Sequence, residues 1–234
     1  MEITPVAYFH SPLKTKFGIP KQSGLAQGLK GYITFSGEWK NADALRGIDG
    51  FDYLWLIWGF SANRHEARGT TVRPPVLGGN TRVGVWATRS PFRPNGLGLS
   101  AVRIERVEID AAQGPVIHVS GADLMDNTPI YDIKPYVPYA DAYPGVRSGF
   151  TGLDKLNRLN VVVGDEVSKT MGERCVAALA EVLALDPRPQ YHNDADRVYG
   201  MAFDKWDIKF TVSENTVSVI GCEERNVEKS LIKH

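Results

Sequence analysis

The chain has 234 residues, with 27 Lys and Arg against 27 Asp and Glu, and 43% of its residues are hydrophobic. That length supplies core for one large domain or for a main domain with a small one. A net charge of zero excludes a global field that would draw the molecule to a polyanion. No apolar run approaches membrane-spanning length, and the opening Met-Glu-Ile-Thr-Pro has neither the basic nor the apolar region of a signal peptide. A cytoplasmic protein is therefore expected. Cys175 and Cys222 have no metal-ligand partners at useful spacing and read as reduced, buried thiols.

Residues 3–9 read as a first strand, with Pro5 placing it near an edge. Residues 14–27 are irregular and carry Ile19-Pro20-Lys21-Gln22, a candidate ligand loop whose alternative is a solvated connection. A short strand follows over 31–35, and Asn41 caps one or two helical turns over 41–46. The most apolar segment, 51–60, is a core strand. Residues 71–75 are extended, and 77–80 form a turn. A strand enters the 84–100 stretch with Val83, Val85 and Trp86 as β-formers.

Apolar residues alternate over 101–109, with one phase slip near Glu105 and Arg106 that predicts a bulge. Strands are expected over 116–120 and 129–136, separated by a turn in which Asn127 tolerates positive φ. Short strands at regular spacing with hardly any helix argue for a barrel. Periodicity is lost over 141–157. After it come a strand over 160–164, the one convincing helix over 173–185 and three antiparallel strands over 197–203, 205–212 and 216–221. The expected fold is mainly β: an N-terminal β-barrel over 1–142, a linker over 143–157 and a small α+β C-terminal domain over 158–234.

Zero net charge hides a local imbalance. No acid lies between Glu66 and Glu105, whereas Arg68, Arg73, Arg82, Arg89, Arg93 and Arg103 do, with Arg64 and His65 just upstream. Arginine without lysine fits planar, bidentate recognition of phosphate or carboxylate. In 84–100, Pro91 and Pro94 fix φ around Arg89, Arg93 and Asn95, so these side chains meet an anion at small entropic cost. Nucleophilic and metal chemistry find little support: there is no Gly-x-Ser-x-Gly elbow, no His-Glu-x-x-His and no Cys-x-x-Cys. Gly96-x-Gly98 lacks the third glycine and the helix of a dinucleotide site. Asp123, Asp126 and Asp132 are the turn-held carboxylates of the barrel, by themselves equally explained as turn caps. The residues alone thus reach a β-barrel with an arginine-rich ligand site. That site fits an anion-rich or nucleic-acid ligand, held by an enzyme, one on a phosphorylated small molecule included, or by a non-catalytic nucleic-acid- or nucleotide-binding regulator.

The run Gly84-Val-Trp-Ala-Thr-Arg-Ser-Pro-Phe-Arg-Pro-Asn95 closely resembles the signature of the TrmO (TsaA-like, YaeB) family. Thr71-Val-Arg-Pro-Pro75, Leu77-Gly-Gly-Asn80, Asp123-Leu-Met-Asp126, Thr128-Pro129 and Asp132-Ile-Lys-Pro-Tyr136 match in the same order. Asp186-Pro-Arg-Pro-Gln-Tyr191 resembles the motif of the family's bacterial C-terminal domain. The resemblance implies an S-adenosylmethionine-dependent tRNA methyltransferase acting on N6 of threonylcarbamoyl-adenosine, 3′ of the anticodon in ANN-decoding tRNAs. It also implies a homodimer, beside which the residues themselves lead to the expectation of no metal and no membrane. Donor binding is carried onto Pro20, Lys21, Gln22, Arg89, Leu99, Asp123, Leu124, Met125 and Asp126, with Ser61 and Ala62 as weaker candidates. Asp126 or Asp132 would accept the amine proton. Arg73, Arg82, Arg93, Asn95, Lys134 and Tyr136 would meet tRNA. Two positions depart from the family pattern: Gly96 replaces a proline, which is expected to loosen the loop, and Asn127 replaces a glycine.

Overall fold

Apolar side chains at every second strand position sort the chain into two bodies, each with its own core. The computed structural model describes residues 2–63, 69–109, 114–153, 157–188, 194 and 196–225. Arg64, His65, Glu66 and Arg68, and Pro189, Gln190 and Tyr191 of the C-terminal motif, lie outside the described residues.

The first body contains β1 (Ala7–His10), β2 (Lys30–Phe35), β3 (Tyr53–Gly59), the two-residue β4 (Thr71–Val72) and β5 (Val83–Gly84), β6 (Leu97–Glu108), β7 (Val116–Ser120) and β8 (Thr128–Pro135). Six of them close into an antiparallel barrel in the order β1-β2-β7-β6-β3-β8. Closure leaves that sheet no free edge. Leu54 and Leu56 of β3 point inward with Phe9, Ile33, Val102, Ile117 and Ile130, while Ile57 pairs outward with Leu99 of β6. The bulge expected in β6 is present: its register with β7 shifts between Ile104 and Arg106. Ile104 and Val107 both reach the core because of it. Glu105, in the bulge, accepts from Ser120 Oγ at 2.6 Å and from Lys30 Nζ at 3.1 Å. These contacts, Ser120 foremost, hold its carboxyl below the usual range.

The second body contains β9 (Asn160–Val163), α2 (Asp165–Met171), α3 (Glu173–Leu183), β10 (Tyr199–Phe203), β11 (Trp206–Ser213) and β12 (Thr216–Glu224), after the single-turn α1 (Pro138–Asp141). Its sheet runs β10-β11-β12-β9, with β9 parallel to β12. Leu179, Val182 and Leu183 of α3 are buried in one core with Ile208, Phe210 and Val212. That core also takes Leu13, Ala26 and Leu29 from the segment between β1 and β2.

Three expectations are corrected. The first strand begins at Ala7, because Pro5 has no N–H for the ladder and its carbonyl accepts from Ser36 Oγ instead. The strand entering the 84–100 stretch stops at Gly84. Val85–Ala87 is a 3-10 turn, in which Thr88 Oγ1 donates to the Val85 carbonyl at 2.9 Å and competes with strand pairing. The second body has α2 besides α3: its seven residues are too few for a visible apolar stripe, and Gly172 at φ +81° breaks it from α3.

Candidate functional site

A carboxylate in the loop between β7 and β8 anchors the site. Trp58 Nε1 donates to Ser100 Oγ at 2.9 Å, and Ser100 Oγ donates to Asp123 Oδ1 at 2.5 Å. Trp58 and Gly98 are cross-strand partners on β3 and β6. The indole covers Gly98 so closely that a Cβ there would lie 2.3 Å from it. Glycine at 98 is what lets the ring lie against the strand and reach Ser100. Burial raises the pKa of Asp123; the Ser100 bond, backbone amides and the Arg89 charge pull the other way.

Over Asp123 two loops meet. Arg89 Nη1 donates to Gln22 Oε1 at 2.5 Å, joining the 84–100 stretch to the 20–22 loop. Arg93 works inside its own loop: Nη1 donates to the carbonyls of Thr88 at 3.1 Å and Ser90 at 3.2 Å. Its guanidinium lies 5.8 Å from the ring centre of Trp86, which is 74% exposed. Gly96 does not loosen this loop. It sits at φ +56°, donates to the Arg93 carbonyl at 3.1 Å and accepts from Phe60 N at 2.9 Å. A proline can neither reach that φ nor make the first of these bonds. Asn127 likewise takes φ +59°, the left-handed region that asparagine tolerates.

Of the expected donor residues, Gln22, Arg89 and Asp123 are brought together. Pro20 is buried and Lys21 exposed on the same loop. Ser61 and Ala62 form the turn after β3, and Lys16 Nζ donates to the neighbouring Asn63 Oδ1 at 2.5 Å. Leu99 is 52% exposed on the outer face of β6. Leu124 is fully buried in the barrel core, which leaves only its backbone for a ligand; Met125 is half-buried. Asp126 faces Lys14 Nζ at 2.8 Å, the Ser11 amide at 3.0 Å and His10 Nδ1 at 3.8 Å. There burial lowers the His10 pKa against the Asp126 charge.

Asp132 lies on the outer face of β8, accepts from its neighbour's Ile133 amide and pairs with Lys134 at 3.0 Å. It is the cross-strand partner of Ile57, itself the partner of Leu99, so Asp132 and Leu99 share one outer row. Tyr136 packs at 5.5 Å against Trp55. Arg73, Arg82 and Asn95 are exposed, with Arg82 Nη1 donating to Thr71 Oγ1 at 3.3 Å. Sequence reasoning missed Ser100, Trp58 and Lys14. The first two sit at inward strand positions that read as core; Lys14 lies in irregular chain, and no local pattern ties it to Asp126. Among the described residues no group of three or more His, Cys, Asp and Glu side chains is placed to hold a metal ion.

Two outcomes follow from this geometry. Gly96→Pro should destabilise the protein by about 1–3 kcal/mol in urea unfolding; an unchanged midpoint would contradict the left-handed, hydrogen-bonded turn. Asp123 has a folded pKa above its unfolded value, so its stability term is lost as pH rises from the ordinary carboxylate range through the folded pKa. Asp123→Asn should therefore raise the thermal midpoint at pH 7, with the gap closing as pH falls below that range. A variant less stable than wild type at pH 7 would show that the hydrogen bonds, not burial, dominate.

Comparison with known proteins gives one answer along the chain. The model of the tRNA-methyltransferase O N-terminal domain matches residues 8–142, and that of the TrmO C-terminal domain matches residues 157–225. A protein of Escherichia coli K12 named tRNA (adenine(37)-N6)-methyltransferase is 33% identical over 94% of this chain and 97% of its own length. One of the same name from Eikenella corrodens is 40% identical over 70% of this chain and 92% of its own. A relative from Pseudomonas aeruginosa, named as an S-adenosylmethionine-dependent methyltransferase, is 36% identical over 88% of this chain and 89% of its own. A crystal structure of TrmO from Pseudomonas aeruginosa matches with TM-score 0.76 at 28% identity, over 95% of this chain and 98% of that one. With both family domains matched in order and the barrel shared, this chain belongs to the TrmO family.

Proposed function

We infer that this protein is an S-adenosylmethionine-dependent tRNA methyltransferase acting on N6 of adenosine 37. We further propose threonylcarbamoyl-adenosine, 3′ of the anticodon in ANN-decoding tRNAs, as the substrate. The observation that carries the reading is the meeting of Gln22, Arg89 and Asp123 at the mouth of a closed barrel, in a family whose relatives are named for this reaction. Those names speak against the non-catalytic regulator.

The residues present fit the donor. A guanidinium with spare N–H groups suits its carboxylate, and the Asp123 carboxylate suits ribose hydroxyls. Bound there, S-adenosylmethionine supplies an activated methyl group for in-line displacement, a reaction that depends chiefly on alignment. Arg89 and Gln22 orient one end and Asp123 the other, with exposed Leu99 giving an apolar wall. The amine of the modified base becomes more acidic as the new N–C bond forms, and its proton needs an acceptor. We propose Asp132 for this role over Asp126. It shares the outer row with Leu99 and its side chain is 48% exposed, whereas that of Asp126 is 16% exposed and tied to Lys14 and Ser11.

An anticodon loop presents single-stranded bases and phosphates, which are recognised by stacking and by charge. Exposed Arg73, Arg82 and Asn95 fit the phosphates, Lys134 the threonyl carboxylate, and Tyr136 and Trp86 the bases. Arg93 acts on tRNA through the loop it orders. A homodimer is supported by large apolar side chains left open on the barrel's arginine loop and after β8: Phe92, Tyr139 and Tyr143. The proposed division is a catalytic barrel over 1–142, a linker over 143–157 and a C-terminal domain over 158–234. No helix among the described residues is long and apolar enough to cross a membrane, and a cytoplasmic location is proposed.

Incubation of unmethylated tRNA with the protein and S-adenosylmethionine, followed by nucleoside mass spectrometry, should add the mass of one methyl to threonylcarbamoyl-adenosine. Unchanged nucleosides would sink the reading. Asp132→Asn should lower kcat by about 100-fold or more while leaving the donor Kd unchanged; wild-type turnover would remove Asp132 from the chemistry.

A further inference from the structure

We propose that the second body is part of the donor site: it holds the strap between β1 and β2 in the shape that brings Gln22 to Arg89, with Glu181 of α3 as the positioning residue. The proposal rests on the reading of this strap as donor-binding.

Residues 11–29 contain no helix or strand, only turns and one isolated bridge. Such a segment takes its shape from what it packs against. Its apolar anchors do not enter the barrel. Leu13, Ala26 and Leu29 are 0%, 1% and 2% exposed in the core of the second body, and Phe17 and Ile19 pack on the same core. Polar contacts secure the same side. Glu181 Oε2 accepts from the Gly28 amide at 2.8 Å, Arg158 Nη2 donates to the Leu25 carbonyl at 2.6 Å, and the Asp204 amide donates to the Pro12 carbonyl at 2.6 Å. The bonds of Glu181 and Arg158 each involve an ionised group and so are charge-assisted, the stronger kind among the three.

The other side of the strap meets the barrel at the segment that carries Asp123. The Gly24 amide donates to the Gly121 carbonyl at 2.7 Å, the Gly121 amide to the Leu29 carbonyl at 3.0 Å, and the Asp126 amide to the Leu13 carbonyl at 2.9 Å. Gln22 lies between these fixed points and reaches Arg89. Both donor-facing segments, 20–22 and 123–126, are thus tied to one strap whose foundations are in the second body. Glu181 touches no donor-facing group; it acts through Gly28.

Calorimetric titration of S-adenosylmethionine into the full chain tests this, with donor-free tRNA affinity measured alongside. Glu181→Ala should raise the donor Kd about tenfold and leave tRNA binding unchanged. Glu181→Gln keeps an acceptor oxygen and should restore most of the affinity. Arg158→Met, an exposed change that removes only the bond to Leu25, should weaken donor binding in the same direction even if Glu181→Ala fails to fold. Wild-type donor affinity in Glu181→Ala and Arg158→Met, with Gln22→Ala impaired, overturns the proposal and leaves the donor site intact. No donor binding by the unaltered protein, or none lost in Gln22→Ala, overturns the donor-site reading itself, and the proposal falls with it.

Discussion

A carboxylate desolvated in the loop at the end of a barrel is a costly feature, and much of this molecule is arranged around it. Desolvation raises the Asp123 pKa. The relay from Trp58 through Ser100 offsets part of that cost with two hydrogen bonds. The relay in turn demands an indole flat against β6, and so a glycine at 98. Asp123 is then fixed within reach of two loops while still open to a ligand, a pre-organised acceptor that a flexible surface aspartate could not match.

The two loops acquire their shape in different ways. The 84–100 stretch is stiffened from within, by prolines, by the Arg93 bonds to its own backbone and by the left-handed turn at Gly96. The 11–29 strap also has prolines and left-handed glycines, at Gly18 and Gly24, but its apolar anchors are held from outside, in the core of the second body. Where they touch, Arg89 and Gln22 join a self-supporting loop to a supported one. A methyl transfer that depends on alignment benefits from this, since tilting either loop would misplace the donor without altering any group that reacts.

Much of the fold was legible in the sequence because it is written in periodicity. Alternation over 101–109 gave β6, and its phase slip gave the bulge at Glu105. The apolar stripe over 173–185 gave α3, two residues too long at its end, and Asn127 announced its positive φ. What could not be read depended on contacts between distant residues. Ser100 looks like any small inward residue until Trp58 arrives from β3 and Asp123 from the loop after β7, and Leu13 and Leu29 give no sign that they belong to a core built more than a hundred residues later. The corrected strand ends share one cause: a side chain or proline competed with the ladder, at Thr88 and at Pro5. The arginine-rich interval pointed to an anion, yet its members differ in role. Arg93 is bonded internally, whereas Arg73 stays open. Only geometry separates them.

The central claim is that Gln22 and Arg89 form one donor-binding unit above Asp123. A double-mutant cycle on S-adenosylmethionine affinity, with Gln22→Ala, Arg89→Ala and the pair measured by calorimetry, tests it most directly. A shared unit predicts that each single change weakens binding and that the double variant loses less than their sum, with a coupling of about 0.5–3 kcal/mol. Strictly additive losses, or wild-type affinity in Arg89→Ala, would contradict it.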